Sequence, residues 1–114
     1  ERYRTAFREI EGDARQRQLV VEANGRIVGG ASLIIIPNLS RQGRPWALVE
    51  NVVVDETERG SGFGELLLRH ALEEARRAGC YKLSLTSNRA RKDAHRFYER
   101  LGFKPTHEGF RFDF

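Results

Sequence analysis

The amino-acid sequence predicts an α+β domain: a mixed β-sheet with helices on both of its faces. One observation behind this prediction is a pair of β-branched, apolar runs separated by Asn24-Gly25, which is typical of a β-hairpin. Another is the strand–turn–helix–strand succession over residues 46–85, whose two strands should pair in parallel. The chain has 114 residues, which is enough for one domain with its own core and too short for two.

The first half of the chain is predicted to form one helix and a hairpin. Apolar residues recur at helical spacing from Tyr3 to Ile10, which indicates a short amphipathic helix. The two apolar runs, Gln18–Ala23 and Arg26–Ile36, are predicted to be the strands of the hairpin. The polar segment Pro37–Pro45 carries a proline at each end and is predicted to be a loop.

A third strand, a glycine-rich turn and a long helix are predicted next. The strand Trp46–Val54 is dense in β-branched residues, which favours burial on both faces. The turn Arg59–Gly64 leads into a helix over Phe63–Ala78, and Gly79 fits the end of that helix. The apolar stripe of the helix predicts which of its side chains are buried: Leu67, Leu68, Ala71, Leu72 and Ala75.

The last third is predicted to contain a strand, a helix and a closing strand. Alternating apolar and polar residues predict a strand over Tyr81–Leu85, and Asn88–Lys92 is a basic, polar loop. Asp93 is the predicted N-cap of a helix that ends at Gly102. The inner face of this helix is predicted to hold Ala94, Phe97, Tyr98 and Leu101. Three alternating aromatic residues predict the closing strand: Phe110, Phe112 and Phe114.

Composition and charge narrow the classes of function. One cysteine, Cys80, rules out an internal disulfide, and with three scattered histidines it argues against a metal site. That single cysteine, with no signal-peptide pattern in the chain, predicts a cytoplasmic location. No apolar run is long enough to predict a membrane helix. The net charge of +4 suits an anionic ligand, but the arginines are dispersed, which argues against a nucleic-acid partner.

The turn Arg59–Gly64 is the densest chemical signal in the sequence. A glycine-rich turn at a helix N-terminus presents free backbone N–H groups and the positive end of the helix dipole to an anion. The Gly-Lys-Ser/Thr of a Walker loop is absent, and Glu65 stands where a dinucleotide-binding turn needs its third glycine. The alternative is a tight strand-to-helix turn without a ligand.

Two motifs taken together resemble the GNAT superfamily of acyl-CoA-dependent N-acetyltransferases. One is the Arg59-x-x-Gly62-x-Gly64 turn, which in that superfamily binds the pyrophosphate of coenzyme A. The other is FYERLGF at residues 97–103, which resembles the tyrosine-bearing helix end of the superfamily. The resemblance covers residues 17–114, nearly the whole chain.

This resemblance implies a single acetyl-CoA-binding domain over residues 1–114 that transfers an acetyl group directly to an amine. The GNAT order also leads us to expect one more strand and helix ahead of Glu1. The implied co-substrate is acetyl-CoA, and no metal is implied. The residues implied to bind acetyl-CoA are Val52, Val53, Val54, Arg59, Gly60, Ser61, Gly62, Phe63, Gly64 and Asn88.

Within the superfamily, two segments are similar to glucosamine-6-phosphate N-acetyltransferases. These are Glu50–Asp55 and Gly79–Lys82. Asn51 stands where those enzymes usually have aspartate, and the loop before Tyr98 is longer and more basic here. The acceptor therefore stays open beyond a small molecule with a primary amine.

Two residues are candidates for the catalytic chemistry. By the resemblance, Tyr98 would protonate the departing thiolate. Glu50 is either a general base or amine anchor, or a structural partner of a neighbouring arginine, and strand alternation would place it on the same face as Val52 and Val54.

Two other functions are kept as alternatives to an enzyme. One is a GNAT-like domain that binds acyl-CoA as a sensor or interaction module without turnover. The other is a basic nucleic-acid-binding protein, which would need a stripe of arginines with exposed aromatic residues. The sequence also leaves open whether the domain is a monomer or a homodimer.

Overall fold

The computed structural model describes residues 1–114 and contains one four-stranded sheet with three α-helices. The strands lie in the order β1-β2-β3-β4. This arrangement confirms the predicted α+β class with a mixed sheet. No helix combines the length and the apolar character that a membrane crossing needs. The elements in chain order are α1 Arg2–Glu11, β1 Gln16–Ala23, β2 Arg26–Ile36, β3 Trp46–Val54, α2 Phe63–Arg77, β4 Leu83–Ser84 and α3 Lys92–Arg100.

The predicted hairpin is present between β1 and β2. Its two-residue turn has Asn24 at φ 53° and Gly25 at φ 78°, the left-handed backbone that an Asn-Gly hairpin turn requires. The antiparallel register starts with Ala23 opposite Arg26 and reaches Gln16 opposite Ile34.

The core lies between α2 and one face of the sheet. Leu68 and Ala71 of α2 are fully buried, and Leu33 and Ala47 on the facing strands are buried to the same degree. The face that packs holds four of the five residues predicted from helical spacing, because apolar residues three and four apart lie on one side of a helix. The fifth, Leu72, is only half-buried. The buried cluster comprises Leu19, Ala31, Leu33, Ala47, Val49, Leu67, Leu68, Ala71 and Ala75.

The other face of the sheet carries α1. Arg17 of β1 pairs with Glu74 of α2 at 3.2 Å, so odd-numbered residues of this part of β1 face α2. Gln16 and Gln18 point the opposite way and share a shallow cavity with Phe7 of α1. Helices thus cover both faces, as predicted.

A β-bulge at Asn51 changes the side-chain alternation of β3. Ser32 lies opposite Glu50, but two residues further back on β2 Gly30 lies opposite Val53, so β3 has one extra residue. Asn51 absorbs it with φ 54°. The predicted shared face for Glu50, Val52 and Val54 is therefore wrong: Val52 packs on the core, whereas Glu50 faces away from α2.

Strands β3 and β4 are parallel but pair over only two residues. Ala47 lies opposite Leu83 and Leu48 opposite Ser84, and beyond them the two segments diverge. The predicted strand Tyr81–Leu85 is therefore shortened to two residues, and it does not pair with Val52–Val54. A bulge bends its strand and increases the local twist, which accounts for the opening next to Asn51.

Two predictions for the C-terminal third are wrong. No strand forms after α3, and the three aromatic residues of the predicted closing strand, Phe110, Phe112 and Phe114, are 91%, 83% and 116% exposed. A short edge strand such as β4 offers too few backbone groups for a further strand to pair with. Asp93 is not the N-cap either, because α3 begins at Lys92 and Asp93 lies in its first turn, paired with Arg96.

Candidate active site

A cleft of about 180 Å³ lies where β3 and the chain after β4 diverge. The bulge forms one wall, the residues after β4 form the second, and α3 closes the end. The residues that line it are Val49, Glu50, Asn51, Val52, Leu85, Thr86, Arg91 and Tyr98. Both predicted catalytic residues are therefore in one cavity. The sequence analysis did not predict Thr86 or Leu85 as lining residues, since their position depends on where β3 and β4 separate.

Tyr98 is anchored by its ring and free at its hydroxyl. The ring centroid lies 5.4 Å from that of Phe97 and 5.9 Å from that of Phe103, the latter in an edge-to-face arrangement. Half-buried contacts of this kind fix the ring on the apolar face of α3. The hydroxyl makes no hydrogen bond to any protein group, so it can donate to a bound molecule.

Glu50 is exposed in the same cleft and has no ion-pair or hydrogen-bond partner in the protein. Its neighbour across the strand pair is Ser32, whose hydroxyl is hydrogen-bonded to Gln18 at 2.9 Å. The structure does not contain the salt bridge to an arginine that was the alternative interpretation of Glu50. The carboxylate is thus available to accept a proton or a hydrogen bond from a ligand.

The turn Arg59–Gly64 presents a group of free backbone donors at the start of α2. Gly60 and Gly62 have φ of 87° and 85°, and Gly62 caps the helix without a side-chain bond. Five N–H groups of this segment donate to no protein acceptor. Donors arranged in this way at a helix N-terminus favour an oxyanion, and the exposed Arg59 adds a positive charge. The five groups belong to Arg59, Gly60, Gly62, Phe63 and Gly64.

Asp55 holds the chain that enters this turn. Its carboxylate accepts hydrogen bonds from the Thr57 N–H at 3.0 Å and from the Thr57 hydroxyl at 2.8 Å. Those bonds lower the pKa of Asp55, with smaller contributions from the positive charges of Arg26 and Arg59. The turn is therefore shaped by the protein before any ligand binds.

The turn and the cleft meet at a close contact between α2, β3 and α3. A Cβ on Gly64 would lie 3.4 Å from the Phe97 ring and 3.7 Å from a methyl carbon of Val54. Phe97 is the neighbour of Tyr98, so a single residue separates the turn Arg59–Gly64 from the phenol. A molecule with an anionic group at one end can therefore span from the turn into the cleft.

The predicted cofactor residues of β3 lie along its open edge. The Ala47 N–H donates toward the β4 side, to Lys82, whereas the Asp55 N–H donates toward β2, to Val28. Strand alternation then turns the N–H groups of Val52 and Val54 toward the open edge, and that of Val53 toward β2.

Asn88, another predicted cofactor residue, does not line the cleft. Its side-chain oxygen accepts from the Ala90 N–H at 2.9 Å, and its carbonyl accepts from Nε2 of His95 at 2.8 Å. Both bonds order the loop between β4 and α3, so the position of Asn88 is structural for this loop.

The histidines and the single cysteine, Cys80, lie outside the cleft. No cluster of three or more histidine, cysteine or carboxylate side chains is arranged to hold a metal. Burial raises the pKa of the Cys80 thiol, which keeps it protonated at neutral pH and a weak nucleophile.

Comparison with known proteins identifies the family of the chain. Residues 1–103 match the profile of the Acetyltransferase (GNAT) family. The chain is 42% identical over 92 residues to glucosamine 6-phosphate N-acetyltransferase of Trypanosoma brucei brucei. The matched region covers 81% of this chain and 60% of that protein. It is also 42% identical over 90 residues to aminoalkylphosphonate N-acetyltransferase of Salmonella typhimurium, and this match covers 78% of the chain and 56% of that protein.

A solved structure agrees with this family match. The crystal structure of a transcriptional regulator from Bacillus halodurans C-125 superposes with a TM-score of 0.95 at 39% identity, over 99% of this chain and 75% of that one. The chain spans 60% and 56% of the two curated relatives. The family profile, which matches nearly the whole chain, agrees with the fold and with the two motifs. The chain therefore belongs to the GNAT family of acetyltransferases.

Proposed function

We propose that this domain, over residues 1–114, transfers an acetyl group from acetyl-CoA directly to the primary amine of a small molecule. The observation that carries the proposal is one cleft with an unpartnered carboxylate and an unpartnered phenol, adjoining a turn with five free N–H groups. The family supplies the acetyltransferase activity, and these groups supply a base, an acid and an anion site for it.

The turn fits the pyrophosphate of acetyl-CoA. Its free donors and Arg59 complement two adjacent phosphates, and the glycines leave room for them to approach the main chain. The Val52 and Val54 N–H groups, on the open edge of β3, would hydrogen-bond the pantetheine arm. Val53, whose backbone faces β2, and Asn88, whose polar groups are bonded within its own loop, would not contact it. When bound, acetyl-CoA supplies an activated thioester.

The residues of the cleft can then perform the transfer. Glu50 accepts a proton from the acceptor ammonium or, through water, from the attacking amine. The Val52 N–H polarises the thioester carbonyl while the C–N bond forms and the C–S bond breaks. Tyr98 donates its proton to the departing sulfur, so the products are an amide and CoA thiol. The proton that Glu50 has taken up then returns through water to Tyr98, which restores both groups.

The two curated relatives suggest which acceptors to test first. Glucosamine 6-phosphate and aminoalkylphosphonates are both named as substrates of those proteins, and each joins an amine to a phosphorus oxyanion. The two substrates named have different carbon skeletons. What they have in common is an amine and a phosphorus oxyanion.

A thiol-release assay tests the proposed function. We expect CoA thiol to appear at a rate that depends on both acetyl-CoA and an amine, in a panel of amino sugars, aminoalkylphosphonates, amino acids and peptide N-termini. Mass spectrometry of the acceptor should show the gain of one acetyl group.

The sensor alternative has one observation in its favour, since the structural relative with a TM-score of 0.95 is described as a transcriptional regulator. A domain of that kind would bind acetyl-CoA, with a rise in melting temperature, but release no thiol with any acceptor in the panel. That result would overturn the proposed enzyme in favour of the sensor.

Replacing Glu50 with glutamine is expected to lower turnover about 10- to 100-fold, the range for loss of a charge-assisted hydrogen bond. Binding of acetyl-CoA, measured as a rise in melting temperature, should stay unchanged because Glu50 lies on the face away from α2. The matched control is Glu22→Gln, an exposed strand carboxylate outside the cleft, which should leave turnover unchanged. Equal turnover in the Glu50 and Glu22 variants would remove Glu50 from the mechanism.

A further inference from the structure

The cleft holds one cationic and one anionic side chain, and neither has a partner in the protein. Glu50 is the only acidic residue that lines it and Arg91 is the only basic one. The neighbouring arginines are different: Arg89 pairs with Glu108 at 3.6 Å, and Arg96 pairs with Asp93. Arg91 makes no ion pair and its guanidinium makes no hydrogen bond. Its charge is thus left free in the same cavity as Tyr98.

The backbone that carries Arg91 is held by several hydrogen bonds. The Arg91 N–H donates to the Asn88 carbonyl at 3.0 Å, and Nε2 of His95 donates to the same carbonyl at 2.8 Å. The Asn88 side chain accepts from the Ala90 N–H at 2.9 Å, which closes the loop from the other side. Because the backbone is already fixed, a ligand that binds the Arg91 side chain does not have to order the loop, which lowers the entropic cost of binding.

We propose that Arg91 is a specificity-determining residue, which binds an oxyanion group on the acceptor while Glu50 holds the acceptor amine. This inference rests on the proposed function and assigns the residue that selects its acceptor. A guanidinium can donate two parallel hydrogen bonds to a phosphate or phosphonate. An acceptor that carries only an amine would leave Arg91 unpaired and would be repelled by it. The opposite charges of one small cleft are complementary to an acceptor with both groups.

Ligand binding without turnover tests the assignment. With CoA present in place of acetyl-CoA, the dissociation constants of glucosamine 6-phosphate and glucosamine are measured by calorimetry on wild type, Arg91→Gln and Arg89→Gln. We expect wild type to prefer the phosphorylated amine by about 10- to 100-fold, the range for hydrogen bonds to a charged group. Arg91→Gln should reduce that preference to about twofold or less, mainly by weakening glucosamine 6-phosphate binding. Arg89→Gln removes the same charge from the same loop outside the cleft, and it should keep the wild-type preference.

Three results would overturn the assignment. The first is a wild-type protein that binds the two amines equally, or binds neither. The second is an Arg91→Gln variant that keeps the full preference. The third is an Arg91→Gln variant that loses CoA affinity and binds both amines less well by the same factor, which would assign Arg91 to the CoA site. The measurement involves no thiol release, so it gives a result whether or not the proposed acetyl transfer occurs.

Discussion

Replacing Gly62 with valine is expected to abolish the stabilisation of the protein by acetyl-CoA. At 100 times its dissociation constant, a ligand that binds only the folded state stabilises it by about 2.7 kcal/mol, and this should be seen with the wild-type protein. Gly62 has φ 85°, and a Cβ there would enter open space beside the free N–H groups of the turn. A β-branched side chain both resists this backbone conformation and occupies the volume that the pyrophosphate needs.

The hairpin offers a matched control for this substitution. Gly25 has φ 78°, and a Cβ there also meets no atom within 4 Å. Gly25→Val should therefore lower the melting temperature in a similar way through backbone strain, but keep the full shift on addition of acetyl-CoA. If Gly62→Val keeps that shift as well, the anion site is not at this turn.

The parts of the fold that the sequence predicts well are those decided by local chemistry. The Asn24-Gly25 turn was predictable because few residue pairs adopt a left-handed backbone at two successive positions. The packed face of α2 was predictable because helical spacing alone selects its buried stripe. The turn Arg59–Gly64 was recognised for a similar reason, since two of its three glycines, Gly60 and Gly62, occupy positions with positive φ.

The parts that were wrong depend on contacts between elements. Glu50 was assigned to the face of Val52 and Val54 because strand residues alternate, and one extra residue at Asn51 breaks that alternation. An asparagine inside a run of valines is the local signal for such a break, since asparagine tolerates positive φ better than β-branched residues do. The closing strand failed for a different reason. Phe110 and Phe112 have the alternating spacing of a strand, but a strand also needs the edge of a sheet with which to pair its backbone groups.

Replacing Tyr98 with phenylalanine is expected to lower turnover roughly 10²- to 10⁴-fold, the usual contribution of a positioned proton donor. The ring contacts with Phe97 and Phe103 do not involve the hydroxyl, so the melting temperature should change little. Because the hydroxyl has no protein partner, its removal leaves no buried group unsatisfied. The affinity for acetyl-CoA should also stay close to that of wild type, since the turn proposed to bind its phosphates is untouched.

The control for Tyr98→Phe is Tyr81→Phe, which removes a phenol hydroxyl outside the cleft and should leave turnover unchanged. The two variants are compared by single-turnover thiol release at saturating acetyl-CoA and acceptor, so that product release does not mask the chemical step. If Tyr98 protonates the sulfur, a second effect is expected. An acetyl thioester with a more acidic thiol should restore much of the rate that Tyr98→Phe loses, because a better leaving group needs less protonation. If Tyr98→Phe turns over as fast as Tyr81→Phe with acetyl-CoA itself, the thiolate departs without help and the hydroxyl of Tyr98 has no part in the reaction.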